Sequence, residues 1–72
     1  MTGSTLQSGS HIARTDTKQM PDGTYEAQVF VRLSREPASA ETFIPAGLYP
    51  DEAAALQAAR TRAQRALDEH EF

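Results

Sequence analysis

The sequence predicts an α+β fold in the order β-β-β-α, a three-stranded antiparallel meander with one C-terminal helix packed on one face. Three stretches carry that expectation. Residues Thr24 to Arg35 alternate apolar and polar side chains with the period of two that a half-buried strand requires. Met20-Pro21-Asp22-Gly23, immediately before them, has the residue types of a tight turn. Pro50 to His70 repeats apolar residues at spacings of three and four, as a helix with one buried stripe does.

Taken in order, the first ten residues are Ser, Thr and Gly around a lone Leu6. Such a stretch buries too little apolar surface to offset the entropy of ordering it, so residues 1–10 are expected to be a disordered tail and 11–70 the single folded domain. His11 to Gln19 is polar but carries enough Thr for an edge strand. If Pro21, Asp22 and Gly23 form a three-residue loop with a glycine bulge, Met20 faces Thr24, and counting back pairs Lys18 with Glu26, Thr15 with Val29 and Arg14 with Phe30. The opposite charges at Lys18 and Glu26 favour this register. It also puts His11, Thr15 and Thr17 on the core face and sends Ile12 outward, a conflict that a bulge in the first strand would relieve.

In the second strand Tyr25, Ala27, Val29, Val31 and Leu33 face the helix, and Glu26, Gln28, Phe30, Arg32 and Ser34 face away. Glu36-Pro37-Ala38-Ser39-Ala40 reads as a loop, and Glu41 to Ala46 as a short third strand bounded by Pro45 and Gly47. Phe43 and Ile44 must take opposite faces, and either can be the inner one. Leu48 or Tyr49 is placed to fold back on Ala53 or Ala54 and fix the angle of the following helix.

Pro50 suits a first helical position, and Asp51 and Glu52 place negative charge at the positive end of the helix dipole. Leu56, Ala59, Ala63 and Leu67 form the predicted buried stripe, flanked by Ala53, Ala66 and His70, with Gln57, Thr61, Arg65 and Asp68 opposite. Seven alanines between Ala53 and Ala66 allow a close approach to the sheet. Asp68, Glu69 and Glu71 oppose the dipole at the other end, so the helix is expected to fray from Asp68, with Arg65 pairing Glu69 against it.

Composition narrows the function classes. A chain of 72 residues has one small core and, without cysteine, neither a disulfide framework nor a thiolate metal site. It shows no signal-peptide pattern and no long apolar run, so the expected location is cytoplasmic, with no membrane partner. Phosphate-binding glycine loops and nucleophile elbows are missing from the sequence. Ser10 beside His11 is the nearest approach to a nucleophile and base, but neighbours on an extended chain point apart. His70 between Glu69 and Glu71 has the wrong spacing for metal ligands on a helix, and Asp51 and Glu52 are explained by the dipole. No catalytic, cofactor-binding or metal-binding residue is assigned, and the chain is expected not to be an enzyme.

What remains is the face turned away from the helix. Phe30 stands at its middle, with Arg14 and Arg32 as neighbours and Phe43 or Ile44 beside it, so Phe30, Arg14, Arg32 and Phe43 are the candidate interaction surface. Aromatic and arginine side chains are the anchors of protein interfaces and of single-stranded nucleic acid readers alike. The run G-L-Y-P-D-E-A-A-A-L-Q-A-A-R-T-R-A, Gly47 to Ala63, resembles the end of AP2-type and phage-integrase arm-binding domains, in which a third strand turns into an alanine-rich helix. That resemblance implies a sheet laid in the DNA major groove. The strands of those domains are dense in Arg and Trp, whereas this chain has no Trp and offers Arg14, Lys18, Arg32 and Arg35. The element order is also similar to that of small uncharacterised bacterial β-β-β-α proteins, a resemblance that implies the fold and says nothing about activity. Net charge is −3, uneven along the chain, +1 over residues 1–35 and −4 over 36–72. An acidic chain with four cations on its sheet half supplies few of the phosphate contacts nucleic acid binding needs. The expected function is a non-catalytic module that binds a protein partner or forms a homodimer through the open sheet face, with nucleic acid binding as the disfavoured alternative.

Overall fold

The alternating stretch forms the centre of the architecture. In a computed structural model describing residues 4–37 and 40–69, Tyr25–Leu33 is the third of four antiparallel strands. In chain order these are β1 (Ser4–Ser8), β2 (His11–Gln19), β3 (Tyr25–Leu33) and β4 (Thr42–Tyr49), followed by a single helix, α1 (Glu52–Glu69). The strands lie side by side in the order β1-β2-β3-β4, and α1 crosses one face of the sheet.

The sheet therefore has four strands, not three, and the added one comes from the segment expected to be a disordered tail. β1 pairs with β2 from Ser4↔Thr15 to Ser8↔His11, joined by Gly9 and Ser10, with Gly9 at φ 59°. Its hydroxyls and its single apolar side chain suffice because the site asks for little else. Leu6 packs against the core, and Ser4 supplies the polar partners of Thr15. β2 is consequently an inner strand rather than an edge strand. Its register is the one derived from the turn, with Lys18↔Glu26, Thr15↔Val29 and Arg14↔Phe30, and no bulge rescues Ile12, which pairs with Arg32 on the outer face. The apparent conflict at Thr15 is resolved by hydrogen bonding. Thr15 is fully buried, and its Oγ1 donates to the Ser4 carbonyl (3.1 Å) while accepting from the Ser4 amide (3.0 Å).

The β2–β3 connection is the predicted loop. Gly23 has φ 90°, its amide donates to the Met20 carbonyl (3.0 Å), and the Met20 amide donates to the Thr24 carbonyl (2.8 Å). Asp22 accepts from the Thr24 hydroxyl (2.6 Å) and amide (3.0 Å), and these two bonds hold its carboxyl below the usual carboxylate range.

β4 is longer than expected because it continues through Gly47. Glu26 pairs with Leu48 but Gln28 with Pro45, so Ala46 and Gly47 together oppose Ala27, a bulge made possible by Gly47 at φ 99°. The extra residue shifts the alternation by one. Leu48 faces outward and is 59% exposed, while Tyr49 turns beneath α1 and donates its hydroxyl to the Ala46 carbonyl (3.1 Å). A Cβ at Gly47 would meet the Tyr49 hydroxyl oxygen at 3.2 Å. Gly47→Ala is expected to cost about 1–3 kcal/mol through backbone strain, read as a lower midpoint in urea unfolding, with Gly47→D-Ala in synthetic protein less affected.

Among the described residues, six of the ten buried apolar ones are alanines, Ala13 and Ala27 on the sheet and Ala55, Ala59, Ala63 and Ala66 on the helix. The helix stripe is rotated slightly from the expected one. Ala55 is inside, Leu56 half-buried and Ala53 exposed, and the helix alanines share one core cluster with Val29, Val31 and Ile44. Pro50 precedes the helix instead of opening it. Asp51 is the cap, its carboxylate accepting from the Ala54 amide (2.7 Å). Arg65 pairs with Glu69 as expected (2.8 Å), and the described helix runs through Asp68 to Glu69. His70, Glu71 and the Ala38-Ser39 part of the β3–β4 loop lie outside the described residues.

Candidate interaction surface

Strand alternation puts Ile12, Arg14, Phe30, Phe43 and Leu48 on the sheet face away from α1. Ile44 is the inner residue of its pair, buried at 8% exposure, and Phe43 the outer one at 46%. Phe43 is directly opposite Phe30, and their rings tilt 40° with centroids 5.3 Å apart, a favourable aromatic geometry. The Arg14 guanidinium lies over the Phe30 ring, 4.2 Å from its centroid.

Glu41, just before β4, holds Arg14 there. Arg14 Nε donates to Glu41 Oε2 (3.1 Å) and Nη2 to Oε1 (3.0 Å), a two-pronged pair, and Asp16 lies 3.8 Å from Nη1. Those bonds to Glu41 outweigh partial burial and raise the already high pKa of Arg14, so the guanidinium stays charged. Glu41 was not singled out in the sequence. The signal that could have found it is positional, since a carboxylate two residues before Phe43 must lie near the cation that neighbours Phe30.

Arg32 has a different task from the one expected. Its Nη1 donates to the carbonyls of Leu33, Ser34 and Glu36, which gathers the chain as it leaves β3. Phe30, Phe43 and Arg14 thus form one cluster, and Arg32 organises the loop at its side. Lys18 faces Glu26 across the β2–β3 ladder. The cations of the face are therefore accompanied by carboxylates or carbonyls, a surface of mixed charge around an aromatic pair.

Ser10 and His11 come closer than expected. The β1–β2 turn places Ser10 Oγ 3.3 Å from His11 Nδ1, at an exposed position. Among the described residues no group of three or more His, Cys, Asp or Glu is arranged to hold a metal ion, and no helix is long and apolar enough to cross a membrane. Comparison with family models, with curated proteins and with solved structures finds no match.

Proposed function

We propose that this chain is a non-catalytic interaction module that binds a protein surface, a partner's or a second copy's, through the open sheet face. The observation that carries the reading is the Phe30–Phe43 pair capped by Arg14, with Arg14 locked in turn by Glu41. Aromatic rings and an arginine fixed in place before binding lose little conformational freedom on association, which is what an interface anchor needs. Scale agrees with this. The molecule measures 36 × 22 × 18 Å, so its largest face is of the order of the ~800 Å² per partner that a standard interface covers. Nucleic acid is a poorer fit, because Arg14 is engaged by Glu41 and Arg32 by the loop carbonyls, which leaves few cations for phosphates.

Phe30→Ser is expected to leave helix content unchanged and to weaken, by about tenfold or more, capture of a partner by immobilised protein or open-face self-association in sedimentation. Gln28→Ala, on the same face, should change either by less than about twofold. Equal binding by wild type and Phe30→Ser would refute the assignment, and salt-sensitive micromolar binding of an oligonucleotide would replace it with the alternative.

A further inference from the structure

The sheet has two unlike edges. β4 is guarded, since Pro45 has no amide to offer and the bulge at Ala46 and Gly47 breaks the line of the strand. β1 is unguarded. Ser4–Ser8 holds neither proline nor charge, and it is the terminal strand of the sheet. Its hairpin loop has two residues, Gly9 and Ser10, and a loop of that length is closed by a hydrogen-bonded pair, here Ser8 and His11. Bonded pairs then alternate back through Leu6–Ala13 to Ser4–Thr15. The N–H and C=O groups of Thr5 and Gln7 point the other way, out of the sheet.

We infer that this edge is the seam of a homodimer, in which β1 pairs antiparallel with β1 of a second copy about a two-fold axis at Leu6. The site is distinct from the open face. In that arrangement Leu6 lies opposite Leu6 of the second copy, and Thr5 of each chain lies opposite Gln7 of the other. The outward groups of the two strands then exchange four N–H···O bonds. Leu6, half-buried at the floor of an open groove of about 580 Å³ between β1 and α1, becomes covered.

The groove wall argues for a second copy over an unrelated strand. It is made of two ridges of α1, one with Arg60 toward its start, Gln64, and Asp68 toward its end, and a second that runs from Gln57 to the Arg65–Glu69 ion pair and so also ends in a carboxylate. A two-fold axis normal to the sheet reverses every direction in its plane, so the Arg60 ridges of the two copies run antiparallel and the Arg60 end of each faces the Asp68 end of the other. The edge and the wall above it are self-complementary under the same operation. The product is one eight-stranded sheet that carries both Phe30–Phe43 clusters on a continuous face.

Sedimentation equilibrium over a range of concentrations tests the seam. The wild-type chain should dimerise, and Thr5→Pro, which removes an outward amide and leaves the β1–β2 ladder intact, should weaken the dimer at least tenfold. Leu6→Lys and Leu6→Glu should each be monomeric alone and should dimerise when mixed in equal amounts. That mixture decides the matter even if the proline variant disturbs β1, because only a two-fold pairing at Leu6 brings the two charges together. Amide exchange at Thr5 and Gln7 in the wild type should slow as concentration rises. Phe30→Ser should leave this dimer unchanged, which separates its failure from failure of the open-face reading. Three results would overturn the inference: a chain that stays monomeric with Thr5 and Gln7 exchanging freely, a charge mixture that does not associate, or a dimer lost in Phe30→Ser and kept in Thr5→Pro.

Discussion

Deleting residues 1–9 is expected to lower the melting temperature by well over 10 °C and to leave a chain with poorly protected β2 amides. The sequence expectation is the opposite, that the segment is a tail whose loss goes unnoticed. β1 contributes the ladder from Ser4↔Thr15 to Ser8↔His11 and the partly buried Leu6 side chain, and it covers Ala13 and Thr15, both fully buried. Half the burial of a leucine and a few net hydrogen bonds amount to about 3 kcal/mol. A domain of this length has only about 0.05–0.15 kcal/mol of stability per residue, so the loss is a large fraction of the whole. Thermal unfolding followed by far-UV circular dichroism makes the comparison. A midpoint within about 2 °C of the full chain would show that β1 lies outside the cooperative unit.

Ala59→Leu is expected to be as damaging by the opposite route. Ala59 is fully buried at the middle of α1, in the cluster formed by Val29, Val31 and Ile44. Three added carbons find no space there, so the helix must lift or its neighbours must leave their rotamers, at about 3 kcal/mol, the upper part of the overpacking range. In a domain of this size that lowers the melting temperature by roughly 12–24 °C. Ala53→Leu is the control, since Ala53 is exposed on the same helix and should move stability by less than about 0.5 kcal/mol. If both variants melt alike, α1 is not seated on the sheet at Ala59.

These two sites also show where sequence reasoning succeeds and where it stops. The β2–β3 register was legible because a turn of known loop length fixes pairing by counting, and the charges of Lys18 and Glu26 agree with it. The Phe30–Arg14 contact followed from that register. β1 was missed because composition weighs apolar content, whereas this strand is held by ladder bonds and by a serine matched to a buried threonine. Gly9-Ser10 between Leu6 and Ile12 is the one sign of it in the sequence, a two-residue hairpin loop. The choice between Phe43 and Ile44 could not be made without β4's phase, which its pairing to β3 sets. Gly47 then shifts that phase, so Leu48 joins the open face and Tyr49 leaves it. Glu41 escaped because its role depends on a partner 27 residues away.

The alanine-lined contact between α1 and the sheet has a further consequence, for orientation. Helices find their crossing angles by fitting ridges into grooves, and a row of methyl groups presents almost no ridge. Along Ala55, Ala59, Ala63 and Ala66 little opposes a small swing of the helix about the sheet normal. Larger side chains flank that row at two places, Tyr49 in a groove beside Ala58 and Arg62, and Leu67 near the end of the helix. α1 is thus a bar pinned at two points. A change at either pin tilts the whole bar, carrying Arg60, Gln64 and Asp68 with it, where a helix with an interlocked middle would absorb the same change locally.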